Sequence, residues 1–258
     1  MTTPAGQSLK PLIAALLAGL WLALGTGCQS QPPLPRYPWQ GETAVLTTLQ
    51  SRARSVHTLT AAFRMSLRRK DGQWISLDGV LAARLPDYLH IQAWKFDQDV
   101  FDFTHRPDGT WLWVTPRSGA SGSSAPALPP KLPKHAWGWL AGDLVPARDI
   151  QPSRIGPRRA DGLVTVQAPL PHTEGWSLAW SIDTQTRTIR VCRIYDEHNH
   201  LAQTIQFQHY VTVKDVPLPT RIETRGRWDM SLRLHDLHLN EPLAKDAFQP
   251  RPGATTQP

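Results

Sequence analysis

The sequence predicts a mainly β protein of α+β type: a large curled antiparallel sheet forming an unclosed β-barrel, with an N-terminal cover helix and a short central helix. Three observations lead there. Apolar and polar residues alternate with period two over many segments, turn signals separate those segments at short intervals, and 24 prolines in 258 residues leave little room for long helices. With 40% hydrophobic and 19% charged side chains the chain holds enough apolar material for a sizeable core, so it is neither disordered nor polytopic. Two cysteines exclude a disulfide-stapled scaffold.

Residues 1–27 read as a secretory signal, with one early cation (Lys10), an apolar stretch over 12–24, and the small residues Gly25, Thr26 and Gly27. The apolar stretch is shorter than the ~20 residues of a membrane-spanning helix. With Cys28 at the cleavage point, the segment resembles a bacterial lipoprotein signal, in which Cys28 becomes the acylated N-terminus. The alternative is plain signal-peptidase cleavage with a free thiol. Acylation leaves Cys192, in a strand-like run, as a small packing residue. The whole chain carries a formal charge of +7, and removing residues 1–27 with their single cation leaves +6. Export excludes nucleic acid as the partner of that charge. The cations are scattered, with dense spots only at Arg68-Arg69-Lys70 and Arg158-Arg159, and meet anionic lipid headgroups or solvent.

Residues 28–40 form a proline-rich tether, and the folded domain spans 41–248. Residues 42–56 place Val45, Leu46, Leu49, Ala53 and Val56 on one helical stripe, a cover helix that needs a sheet to lie on. Leu59, Ala61, Phe63, Met65 and Leu67 then alternate with polar neighbours. Asp71-Gly72 turns the chain into Ile75, Leu77, Gly79, Leu81 and Ala83, and Pro86-Asp87 turns it again into Leu89, Ile91 and Ala93. Strands at 100–104 and 111–115 complete a five-stranded meander. A Pro/Ser-rich insertion at 116–135 is read as a loop, and 136–144, with Trp137 and Trp139, as the short central helix; 116–144 is the candidate contact for an envelope partner. Strands resume around Arg154 and at 163–168, 176–183, 187–196, 201–211, 221–225 and 228–239. Turns fall at 183–186, 198–200 and 216–219, and 249–258 is a disordered tail.

A sheet of ten or more strands must curl. Its inner face would carry Phe63, Met65, Leu77, Ile91, Phe101, Phe103, Trp176, Leu178, Trp180, Ile205, Phe207, Met230 and Leu232, more apolar area than a few short helices cover. An apolar cavity follows, and those residues apart from Ile205 are the candidate lipid-binding set. Catalytic chemistry finds no support. His198 and His200 sit in a polar turn, His235 and His238 are expected on opposite faces of a strand, and the acid pairs Asp97/Asp99 and Asp143/Asp149 lie in turn-like surroundings. No phosphate loop or nucleophile elbow occurs, and no metal or cofactor is expected.

Several segments carry a family likeness: LTAAF at 59–63, GVLAARLPDYL at 79–89, IDTQTR at 182–187 running on to Val191, Tyr195-Asp196, Leu218-Pro219 before Arg221-Ile222, and LHLNEPL at 237–243 with Phe248. Together with Cys28 they resemble the LolA/LolB-like lipoprotein carriers and receptors of the bacterial envelope, over roughly 42–248. The resemblance implies a half-barrel whose cavity receives acyl chains of lipids or lipoproteins, with no catalysis, and a LolB-like receptor role on the periplasmic face of the outer membrane. It also implies a protruding apolar loop that delivers cargo, for which the sequence offers no clear counterpart. The alternative is a non-catalytic assembly lipoprotein with the same fold and a filled core.

Overall fold

The computed structural model describes residues 33–68, 72–115, 152–170, 174–226 and 229–257. The signal segment, Cys28, the 116–135 insertion, the 136–144 helix and Asp143/Asp149 lie outside them. One helix, α1 (Glu42–Ser55), precedes thirteen strands: β1 (Thr58–Arg68), β2 (Trp74–Arg84), β3 (Tyr88–Lys95), β4 (Gln98–Arg106), β5 (Gly109–Val114), β6 (Arg154–Ile155), β7 (Leu163–Pro169), β8 (Ser177–Asp183), β9 (Thr188–Tyr195), β10 (Leu201–Val213), β11 (Val216–Gly226), β12 (Met230–Leu239) and β13 (Thr255–Gln257). They form one antiparallel sheet in the order β13-β5-β4-β3-β2-β1-β12-β11-β10-β9-β8-β7-β6. The terminal strands β13 and β6 do not pair with each other, so the barrel stays open, as expected from the sequence. Leu34–Pro258 is one compact unit and holds every core residue among those described.

Alternation decides the two faces. On β1, Leu59, Ala61, Phe63 and Met65 are buried while Thr60, Arg64 and Arg68 face outward. Register extends the pattern sideways: Phe63 stands opposite Gly79, and Met65 opposite Leu77 on one side and Leu232 on the other. A Cβ at Gly79 would meet the Phe63 ring at 2.3 Å and the Gln92 carbonyl oxygen at 2.4 Å, so only glycine lets that ring lie across the strand.

The strand connections sort into two ends. Those of β1–β2, β3–β4, β9–β10 and β11–β12 lie at one end, and those of β2–β3, β4–β5, β8–β9 and β10–β11 at the other. The helix lies at the second end. Its stripe of Val45, Leu49 and Ala53 joins the core. Asn240, after β12, accepts from the His57 amide at 2.7 Å and donates to the Ser55 carbonyl at 2.8 Å, which fixes the helix C-terminus. In the same last turn, Arg52 donates to the Arg187 carbonyl in the β8–β9 turn (2.7 Å) and to the Tyr37 hydroxyl (2.9 Å). Arg187 in turn donates to Thr48 Oγ1 (2.5 Å) and Gln40 Oε1 (2.8 Å).

Four expectations are revised. Residues 37–40, read as free tether, are docked: the Tyr37 amide donates to the Gln185 carbonyl (2.8 Å), and the Arg187 guanidinium lies 4.5 Å above the Tyr37 ring. Residues 216–219 belong to β11, and the turn is Lys214-Asp215, both at positive φ. Alternate prolines are tolerated there because β11 pairs with β12 only over Arg221–Thr224, leaving one flank of 216–219 open. His235 and His238 share the outer face, opposite Ala62 and Thr60, because a bulge near Asp236 inserts one residue between them. The tail is a strap. After Asn240 the chain crosses the outer face of the β2–β5 half, packs Phe248 against Tyr88 (ring centroids 5.3 Å apart), pairs Arg251 with Asp99 at 2.5 Å, and ends as β13 on the edge of β5.

Beneath the strap, His90 faces two acceptors. Nδ1 is 2.7 Å from the Ala247 carbonyl and Nε2 is 3.1 Å from the Asp102 carboxylate, so only the imidazolium donates to both. The Asp102 hydrogen bond, with its charge and the Ala247 carbonyl, raises the His90 pKa against the opposing effect of burial. Because the folded-state value lies above the unfolded one, the contribution of His90 is full below about pH 6.5 and is lost as pH rises through the folded value. Urea unfolding should show the advantage of wild type over His90→Phe shrinking across that window; a pH-independent difference contradicts the two-acceptor arrangement. Gly79→Ala should lower stability by about 2 kcal/mol in the same assay, since the added methyl overpacks the Phe63 contact.

Candidate functional site

The candidate site is the inner face itself, built as cross-strand rows. One row runs Val166, Trp180, Cys192, Ile205, across β7 to β10. A second runs Phe207, Ile222, Leu232, Met65, Leu77, across β10, β11, β12, β1 and β2. A third runs Leu81, Ile91, Phe103, Leu112, across β2 to β5. Phe101 follows Ala93 and Leu178 lies opposite Ile194 in neighbouring rows. Eleven of the twelve candidate residues are buried, from Leu178 and Trp180 at 1% exposure to Phe101 at 8%. Trp176 is half-buried, one residue before β8, and packs against the same cluster. The alternation brings all twelve to one continuous apolar surface.

The closed end depends on two buried cations. Arg52 and Arg187 are 8% and 6% exposed, and no carboxylate pairs with either among the described residues. Both lie over the Tyr37 ring, at 5.3 and 4.5 Å, and their forks are taken up by carbonyls, hydroxyls and an amide, with Arg187 Nε left unpartnered. Arg52 lies three residues after Leu49 and four before Val56, so the helix turns it toward the sheet beside the apolar stripe. What takes up its guanidinium is the β8–β9 turn, a long-range partner that helical periodicity cannot reveal.

The opposite end is different. Of the large apolar side chains that are exposed, Trp74 (55%), Phe96 (87%) and Leu201 (55%) all stand there. Phe96 and Asp97 form the two-residue turn between β3 and β4, with φ of 51° and 59°, and Lys95 lies 5.3 Å from the Phe96 ring. Such turns favour Asn-Gly or Asp-Gly, and a bulky aromatic at positive φ is disfavoured there. The sequence reading sees turn-like surroundings at Asp97 and Asp99 but does not single out Phe96. An aromatic at the centre of so short a connection between two clear strands was the available clue.

The other candidates do not assemble. Cys192 is fully enclosed beside Trp180, and burial pushes its thiol up to about 12. His198 and His200 stack at 5.9 Å beside Glu197 and Asp196, and His235 and His238 contact Asp236 and Glu241. Among the described residues, no group of three or more His, Cys, Asp or Glu side chains is placed to hold a metal ion. The Asp99 carboxyl is engaged by Arg251, which holds it below the ordinary carboxylate range. No helix among the described residues is long and apolar enough to cross a membrane.

No protein-family model matches the sequence, and no curated protein matches it. Solved structures match it in shape. A DUF1329 family protein from Desulfovibrio piger superposes with a TM-score of 0.60 at 10% identity, covering 82% of this chain and 98% of that one. A domain assigned to outer membrane lipoprotein sorting, from Vibrio parahaemolyticus, gives 0.55 at 12% identity over 80% and 95% of the two chains. A LolA superfamily protein from Nitrosomonas europaea gives 0.55 at 12% identity over 79% and 96%. At such identities the likeness concerns architecture. The superpositions span about four fifths of this chain and nearly all of each of those: the chain has the LolA-like fold.

Proposed function

We propose that this protein is a non-catalytic envelope lipoprotein, anchored through acylated Cys28 on the periplasmic side of the outer membrane, that binds acyl chains of lipids or lipoproteins against its inner face in a LolB-like carrier or receptor role. The observation that carries the reading is the continuous apolar surface spanning β1 to β12, whose one covering helix among the described residues is fourteen residues long. Structures with the same fold include a domain assigned to lipoprotein sorting, which supports the class of cargo. Phe96 supplies the apolar tip that a delivery role calls for, projecting from the end opposite α1. A second reading, a partner-binding lipoprotein with a filled core, draws on the close burial of Trp180 and its neighbours.

Acyl chains reach the inner face when α1 moves or the sheet spreads, so the Arg52–Arg187 clasp sets access. Native mass spectrometry of residues 34–258 should show co-purified lipid, and a fluorescent palmitate should bind with a stoichiometry of about one. Ile91→Phe, which fills the middle of the inner face, should weaken that binding roughly tenfold. A chain that is folded, lipid-free and unable to take up palmitate supports the filled core. Arg187→Lys, which cannot reproduce the guanidinium fork, should speed amide exchange in α1 and accelerate palmitate loading. Phe96→Asp should leave palmitate affinity in solution unchanged while slowing transfer to vesicles.

A further inference from the structure

The outer face of β1, β2, β11 and β12, away from the strap, carries a charge arrangement that acyl binding does not use. Arg64 on β1 stands opposite Arg233 on β12, and Arg233 opposite Arg221 on β11, three arginines in consecutive positions of one cross-strand row. Neighbouring strands lie about 4.8 Å apart. Like charges directly opposite each other destabilise a sheet. The outer two have carboxylates: Arg64 meets Asp78 at 2.8 Å, and Arg221 meets Glu223 at 2.5 Å. Arg233, exposed and between them, has none among the described residues.

The surroundings extend the same chemistry. The next row toward the Phe96 end holds Ser76, Ser66 and Ser231, hydroxyl donors beside the guanidinium row, with Glu223 beyond them on β11. Beyond it lie Arg68 and Arg225, with Arg193 on β9 near Arg225 across Thr204. Against these six arginines stand, among the described residues, three carboxylates, Asp78, Glu223 and Asp229, each already engaged by an arginine. Two exposed apolar side chains share the face, Trp74 opposite Arg68 and Val80 one row from Arg64.

We propose that this face docks on the anionic headgroups of a phospholipid membrane. Guanidinium forks suit phosphate oxygens, and a cation row that opposes folding is relieved when anions lie against it. An acidic protein segment would supply the same charge, but Trp74 and Val80 beside the arginines match a headgroup boundary, where an indole sits half in apolar and half in polar surroundings. The inference stands apart from acyl binding, because the row lies on the opposite side of the sheet from the inner face.

The test uses residues 34–258 and phosphatidylcholine vesicles with increasing phosphatidylglycerol, read by co-flotation. Binding should rise with phosphatidylglycerol content and fall with added salt. Arg233→Gln should weaken it about fivefold, and Arg64→Gln with Arg233→Gln about 25-fold. Both variants should unfold at the wild-type temperature or above it, since repulsion has been removed, while Arg159→Gln, outside the face, should bind like wild type. Variants that bind phosphatidylglycerol vesicles as well as wild type overturn the proposal. So does tight binding of polyglutamate with no vesicle binding, which would assign the face to an acidic protein. Failure of palmitate uptake with retained vesicle binding would count against the acyl-binding reading alone.

Discussion

Every strand from β1 to β12 except the two-residue β6 contributes buried apolar side chains to one side of the sheet, and water must be kept from that side along its whole width. A flat sheet of thirteen strands would need a second layer of comparable size, which the described residues do not supply. Curling is the remaining solution, because it makes the apolar face cover itself. The devices that allow it are visible in the register: bulges at Thr60/Ala62, Ala93/Trp94, Ser181/Ile182 and Leu201/Gln203 interrupt the pairing and increase local twist. The position of α1 across one end, the open order of the strands and the exposed aromatic tip at the other end all depend on that curl.

Two fastenings then hold the curled sheet, and they differ in kind. The Arg52–Arg187–Tyr37 cluster closes the helix onto the β8–β9 turn with buried guanidiniums that meet dipoles and a ring but no carboxylate. Burying such charges is expensive unless their donors are satisfied, so the cluster tolerates little rearrangement. The C-terminal strap grips the outer face through the His90 imidazolium, the Phe248–Tyr88 contact and the Arg251–Asp99 pair stacked on Trp113 at 3.7 Å. One fastening belongs to the half formed by β6–β12, the other to the half formed by β1–β5, and the β1–β12 pairing joins the two.

Local patterning made most of the architecture legible. Alternation placed Phe63, Met65 and Leu232 on the inner face, and helical periodicity found the stripe of α1, because each residue's environment there is set by neighbours two to four positions away. What escaped the reading depends on distant partners. Arg52 sits beside the apolar stripe, and its partner in the β8–β9 turn is more than a hundred residues away in sequence. Pro217 and Pro219 looked like a turn because proline's missing donor matters only where a neighbouring strand needs it. His235 and His238 seemed to point apart because one inserted residue reverses the parity of a strand. Residues 249–257 have the composition of a free end, and their order comes from contacts with Asp99, Trp113 and the β5 edge. Of the candidate site, the apolar lining was readable; the Phe96 tip was not, since a bulky aromatic is rare at the positive φ that its turn requires.

The sheet ends in its shortest strands, three residues in β13 and two in β6. A long sheet edge offers unpaired amides and carbonyls to any other extended chain, and a thirteen-stranded sheet would otherwise present two. Residues 255–257 therefore act as a hem. A chain clipped before Thr255 would keep its apolar core yet leave the β5 edge without its β13 partner, with Trp111 and Trp113 on its outer face, and proteolytic trimming would make the half-barrel self-associate without unfolding it.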